Sequence, residues 1–228
     1  MKIEVITLNK EDTLQAEKLG ADRVELISAM QEGGLTPSYG TIKNVLKHTQ
    51  IDAQIMVRPH SYGFIYDEKD WETIKEDISM IQQLGGNRIV FGAITEDRLV
   101  DEELLEKVIE LAPNIDITFH RAFDEVTSQK DAYKTLCNFK NVKRILTSGG
   151  KAKAIEGIEQ LQELVQLSKE LDGPEILVGS GVSPDNLAQL HKEIGANEYH
   201  IGSGVRIDGD FSKGLSSEKM AQARKVDH

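Results

Sequence analysis

Eight short runs rich in Val, Ile and Phe recur along the chain, and a longer stretch with helical apolar spacing follows each of them. The runs are Ile3–Ile6, Arg23–Ile27, Ala53–Arg58, Arg88–Phe91, Ile115–His120, Arg144–Thr147, Ile176–Gly179 and Glu198–Ile201. The intervening helical patterns cover Asn9–Leu19, Tyr39–His48, Asp70–Leu84, Asp101–Leu111, Asp131–Phe139, Lys153–Leu171 and Pro184–Ile194. Each strand–helix unit takes roughly 28 residues, which is the scale of a (β/α)8 barrel of the TIM type. An open doubly wound sheet is the lesser alternative, because no Gly-rich dinucleotide loop follows the first strand. No linker or low-complexity segment divides residues 1–228, so one α/β domain is expected. After the eighth strand the polar, Gly-rich stretch Arg206–Gly214 leaves a short or irregular C-terminal helical segment, best placed at Ser216–Val226.

Local signals agree with this alternation. Ser183-Pro184 offers an N-cap hydroxyl followed by proline in the first helical turn, and Thr36-Pro37 offers the same. Gly20, Gly85 and Gly195 stand where helices end and can take the left-handed stop.

The net charge of −11 argues against nucleic acid as a partner, since backbone phosphates need clustered Lys and Arg. No apolar run approaches the roughly 18 residues that would span a bilayer. The start, Met1-Lys2-Ile3-Glu4-Val5, has no signal-like apolar region and reads as a first strand. One cysteine, Cys137, allows no internal disulfide, which favours a cytoplasmic protein. A homo-oligomer, most simply a dimer, is the working expectation for assembly.

Strand side chains alternate between faces. With the apolar set packed outward on the helices, Glu4, Arg23, Glu25, Gln54, Met56, Arg58, Asp116, Thr118, His120, Glu198 and His200 point into the barrel. Buried charges need partners. The inward set is therefore either an ion-pair network filling the barrel or a functional site at the C-terminal strand ends.

The densest cluster is Thr118-Phe119-His120-Arg121-Ala122-Phe123-Asp124, where the fifth strand opens into a loop. His120 suits proton transfer, and Asp124, four residues on, is placed to orient it or to act alone. Arg121 falls on the outer face by strict pleating, so it either meets a ligand or pairs with a neighbouring loop. Glu25 is a second candidate carboxylate. Arg58 can clamp a carboxylate or phosphate, or can pair with Glu25.

Three Gly-rich loops follow late strands: Thr147-Ser148-Gly149-Gly150, Gly179-Ser180-Gly181 and Gly202-Ser203-Gly204. Loops after strands seven and eight form the phosphate site of many barrels. The candidate anion-binding residues are thus Arg58, Arg121, Ser148, Gly149, Gly181, His200, Gly202 and Ser203, with Glu25, His120 and Asp124 as catalytic candidates. The alternative is that these glycines only form tight turns. The loop Pro59–Asp67 carries Tyr62, Phe64 and Tyr66, which suggests a lid or a packed cap. No metal site is expected. His48, His60, His120, His191, His200 and His228 show no local ligand spacing, and Cys137 sits in a helical pattern as a small core residue.

The segments Val24-Glu25-Leu26, Glu32-Gly33-Gly34-Leu35-Thr36-Pro37-Ser38, Val57-Arg58-Pro59, Thr118–Asp124, Leu146-Thr147-Ser148-Gly149 and Glu198-Tyr199-His200 together resemble the CutC copper-homeostasis family, in order and across essentially the whole chain. The resemblance implies a TIM barrel, a cytoplasmic protein, and copper binding or copper tolerance as the associated role, with copper as the only implied cofactor. It implies no settled reaction. Many family members carry cysteines where this chain has Ile6, Thr7 and Ile27, so thiol-based copper binding cannot transfer. The family's Arg-Pro-Arg is here Arg58-Pro59-His60. What is retained is Glu25, Arg58, His120, Arg121, Asp124 and His200, a set that suits a small phosphorylated or carboxylated metabolite, bound by an enzyme or a sensor.

Overall fold

The computed structural model describes residues 1–227 and shows a closed, all-parallel barrel in which the eight strands follow chain order. The strands are β1 (Lys2–Thr7), β2 (Arg23–Leu26), β3 (Asp52–Met56), β4 (Arg88–Phe91), β5 (Asp116–Phe119), β6 (Val142–Thr147), β7 (Glu175–Val178) and β8 (Glu198–Ile201). The helices are α1 (Lys10–Lys18), α2 (Tyr39–His48), α3 (Glu68–Gln83), α4 (Glu102–Leu111), α5 (Gln129–Leu136), α6 (Ile158–Leu171), α7 (Pro184–Ile194) and α8 (Ser217–Arg224). Closure comes from β1 pairing with β8, with Glu4 opposite His200, while β2 sets Glu25 opposite Ile6 on the other side of β1.

Outward-facing residues of the strands, among them Ile3, Val5, Ile55, Ile117 and Phe119, form one continuous core with the inner faces of the helices. Both faces of the sheet are therefore covered, as a parallel sheet requires. No described helix is long and apolar enough to cross a membrane.

Several boundaries differ from the sequence expectation, each for a local reason. α3 starts at Glu68, before Asp70, because Asp67 and Asp70 cap each other's backbone amides. α2 is capped by Ser38 and not by Thr36. The Thr36 hydroxyl instead accepts from the Arg58 amide at 2.9 Å and donates to its carbonyl at 3.2 Å, so it pins the end of β3. α5 runs from Gln129 to Leu136, because the Ser128 hydroxyl, 3.3 Å from the Asp131 amide, caps it two residues early. The expected long sixth helix splits into a 3-10 turn at Ala154–Glu156 and α6, with Gly157 between them. A Cβ on Gly157 would lie 2.1 Å from the Ser148 carbonyl oxygen, so the loop after β6 passes directly over this glycine.

Candidate functional site

The barrel interior has two layers of different character. The lower layer is an ion-pair network. Arg23 binds Glu4 through Nε and Glu198 through Nη2, the latter at 2.6 Å. Arg144 binds Asp116 at 2.7 Å and Thr118 at 3.0 Å, and Arg88 and Gln54 also reach Asp116. For these residues the structural alternative holds: each charge has a partner of opposite sign and fills the barrel floor.

The upper layer is different. A cavity of about 300 Å³ opens at the C-terminal ends of the strands, and its lining includes Glu25, Arg58, His120, Arg121, His200, Gly181, Gly202 and Ser203. Apolar walls come from Ile6, Ile27, Met30, Met56, Phe64, Leu146, Val182 and Phe211. Three buried polar atoms on its lining residues, Glu25 Oε1, His120 Nε2 and Arg58 Nε, have no hydrogen-bond partner among the described residues. An unpaired buried polar atom costs on the order of 1–3 kcal/mol, so a ligand that pairs with such an atom recovers that cost.

Glu25 and His200 belong to a chain that starts in the lower layer. The His200 Nδ1 lies 2.7 Å from Glu4 Oε1, and its Nε2 lies 3.7 Å from Glu25 Oε2. Burial opposes ionisation of Glu4, but Arg23 and His200 outweigh it and hold the carboxyl down to about 2. For Glu25, burial dominates and pushes the carboxyl up to about 7, with His200 opposing and Glu4 reinforcing the shift. Burial would lower the His200 imidazole, yet Glu25 and Glu4 raise it above its ordinary value. The result is a carboxyl poised near neutrality at the pocket floor.

His120 is buried at the end of β5, and its Nδ1 accepts from the Ala122 amide at 3.2 Å. Burial, with the Arg58 guanidinium nearby, pushes its imidazole down to about 3. The ring is therefore neutral, and its single proton sits on Nε2, since Nδ1 is the acceptor. Phe64 packs between the two, 4.7 Å from the His120 ring and 4.6 Å from the Arg58 guanidinium carbon. Arg58 does not pair with Glu25. Its Nη1 donates to the carbonyls of Glu32 at 3.1 Å and Gly34 at 3.3 Å.

Three of the sequence candidates lie elsewhere. Asp124 does not orient His120. It sits in the 3-10 turn Arg121–Glu125 and accepts from Thr147, from the amides of Ser148 and Gly150, and from Gln129. Ser148 is fully buried, with its hydroxyl held by Asp124 and the Lys151 carbonyl. Gly149 packs on Gly157 and Leu161. These residues tie the fifth and sixth loops together and do not line the pocket. Arg121 does both jobs: it lines the pocket while binding Asp124 at 2.7 Å and Ser148 at 2.8 Å. The Pro59–Asp67 loop is partly a cap. Phe64 forms the pocket wall, whereas Tyr62 is 92% exposed and stacks only on His60.

The sequence reading missed Met30 and Phe211 as pocket residues, and gave Phe64 only as part of a lid or cap. Phe211 is held by the fully buried Arg206, whose guanidinium lies over its ring and binds Asp12 at 2.7 Å. No local signal announces that contact across the chain. It also missed that Glu4, Glu25 and His200 place three donor atoms within 4.8 Å of one another, an arrangement able to hold a metal ion. That signal was available, because the three alternate inward on neighbouring strands. The trio is a poor copper(I) set: two of its members are hard carboxylates, and the Glu4 oxygens are already engaged by Arg23 and His200. Cys137 is half-buried, and burial pushes its thiol up. His228 lies outside the described residues.

Comparison with known proteins converges on one family. A family model described as the CutC family matches residues 1–205. Proteins described as family protein CutC from Salmonella agona and Salmonella typhi are each 38% identical over 185 residues. The match covers 81% of this chain and 73% and 70% of theirs, respectively. A crystal structure of a CutC from Streptococcus agalactiae, described as a candidate copper homeostasis protein, superimposes with a TM-score of 0.81. It is 30% identical and covers 89% of this chain and 98% of that one. Phosphoribosyl anthranilate isomerase from Thermococcus kodakaraensis shares the fold, with a TM-score of 0.65 at 11% identity over 100% of this chain and 98% of that one.

Proposed function

The chain belongs to the CutC family, and on that premise we propose that it is an enzyme or sensor for a small phosphorylated or carboxylated metabolite, bound at the C-terminal mouth of its barrel. Any tie to copper homeostasis, the role named for its relative from Streptococcus agalactiae, then follows indirectly from that activity. One observation carries this reading: Glu25 Oε1 and His120 Nε2 are buried, unpartnered and share one pocket with the Arg58 cation. Arg58 and the exposed peptide groups at Gly181 and Gly202–Ser203 supply the anion contacts, since neither glycine carries a side chain to cover them.

The test is thermal unfolding with inorganic phosphate and with malonate across a concentration series. A ligand that binds only the folded state raises the melting temperature in a saturable way. Arg58→Gln is expected to abolish that rise. No rise with either anion overturns the reading.

A second reading has its own support. The thioethers of Met30 and Met56 line the same pocket, and these are donors that copper(I) accepts. Competition with a copper(I) chelator under reducing conditions separates the two. Stoichiometric binding lost in Met30→Leu and Met56→Leu, but kept in Cys137→Ser, supports direct copper handling. Absence of retained copper rejects it.

A further inference from the structure

Resting on the reading above, we infer that the pocket transfers protons at a carbon next to a carbonyl, interconverting anionic α-hydroxycarbonyl compounds through an enediolate, with Glu25 moving the carbon-bound proton and the Nε2–H of His120 engaging the carbonyl oxygen. Two hydrogen-bonding groups of the pocket have complementary roles. The Ala122 amide occupies Nδ1 of His120, so a ring with one proton must present it at Nε2, which has no protein acceptor. His120 is thus a fixed donor on a residue that lines the cavity. Gly92 helps to hold it there, since a Cβ at that position would lie 2.7 Å from His120 Nδ1.

Glu25 is the opposite kind of group. Its Oε2 faces His200, which is backed by Glu4, while Oε1 is bare. A carboxylate with one oxygen free of protein partners can take a proton from a substrate and return it. A neutral imidazole donor and a carboxylate base lining one pocket with apolar walls are the pair that enolisation needs. Two candidate nucleophiles are not available to attack a substrate. The Ser180 hydroxyl is committed to the Ala152 carbonyl at 2.6 Å, and Cys137 is not among the pocket residues.

The chemistry balances without an added oxidant or cofactor. Glu25 takes the proton from the hydroxyl-bearing carbon. The C–H electron pair becomes the C=C bond of the enediolate, and the carbonyl π pair moves to oxygen, which takes the Nε2 proton of His120. The neighbouring hydroxyl then gives up its proton to the imidazole, its C–O bond becomes the new carbonyl, and Glu25 returns its proton to the former carbonyl carbon. The product is an isomer of the substrate.

Calorimetric titration with matched probes tests this. Phosphoglycolohydroxamate imitates an enediolate and carries a phosphate, whereas glycerol 3-phosphate has the phosphate alone. Malonohydroxamate and malonate form the same pair with a carboxylate. In at least one pair the hydroxamate is expected to bind about a hundredfold more tightly, the lower range for a mimic of the reacting state. The successful pair identifies the anionic tail. Glu25→Gln, which is isosteric, and His120→Gln are each expected to cut the ratio of hydroxamate to control binding below about tenfold, each ratio being taken within the same variant. If His120→Gln fails to fold, Glu25→Gln alone carries the test. Equal binding within both pairs, or a ratio unchanged in the variants, overturns the proton-transfer inference and leaves the anion site standing. No binding of any of the four, nor of inorganic phosphate, removes both.

Discussion

Glu25 and His120 show how one fold gives two ionisable residues opposite tasks. Both are buried at strand ends, yet burial acts on them in opposite senses, keeping the carboxyl protonated to higher pH and the imidazole neutral to lower pH. Glu25 therefore links stability to pH. Its folded pKa, about 7, is above its unfolded value, so its contribution is fully present below about 4.5 and is lost as pH rises through 7. That span corresponds to about 3 kcal/mol. Glu4 acts in the reverse sense, with stability present above its unfolded value and lost as pH falls towards 2. The groups facing Glu25 that share in this titration are His200, Glu4 and Arg23. Glu25→Gln is accordingly expected to gain stability relative to wild type as pH rises from 5 to 8, read from urea unfolding at each pH. A constant difference across that range would mean that Glu25 does not titrate there. Gly92→Ala tests His120 without touching it. Displacing the ring should cost about 1–3 kcal/mol and abolish the anion-induced rise in melting temperature. The identity of these residues was legible from strand alternation. The free atoms were not, because they depend on which neighbours fail to reach them.

At the scale of elements, the loops after β5 and β6 behave as one unit joined by Asp124. Sequence position suggested a catalytic carboxylate, since Asp124 follows His120 closely at a strand end. The 3-10 turn Arg121–Glu125 rotates it towards the sixth loop instead, where Thr147, Ser148, Gly150 and Gln129 all donate to it. Asp124→Ala is expected to destabilise the protein by about 2–4 kcal/mol, because buried donors and the Arg121 charge lose their acceptor. Urea denaturation checks this, and a loss below about 1 kcal/mol would show that the loops hold together without it. Helix starts followed their caps closely where a cap was local, as at Ser183 before α7. They slipped where a second acceptor competed, as when Thr36 bonded to Arg58 in place of capping α2.

Across the whole molecule, the barrel divides a single inward-facing set of charges into a structural floor and a reactive mouth. Arg23 joins β1, β2 and β8 by binding Glu4 and Glu198 together. Arg23→Met should cost about 3–5 kcal/mol at pH 7, because two buried carboxylates lose their counter-charge. The deficit should shrink in acid as those carboxylates take up protons, and a pH-independent deficit would point to lost packing. The sequence by itself determined the (β/α)8 architecture, since eight alternations of β-rich and helical spacing have few closed solutions, and it determined which strand faces turn inward, since pleating is local and periodic. Only the tertiary structure decided which of those inward groups are paired. Closure of β1 onto β8 brings Glu4 to His200 across 196 positions of chain, and Arg206 reaches Asp12 across 194. Such pairings depend on barrel stagger and loop path, which no local pattern encodes, and they separate the satisfied charges of the floor from the bare atoms of Glu25, His120 and Arg58 in the site.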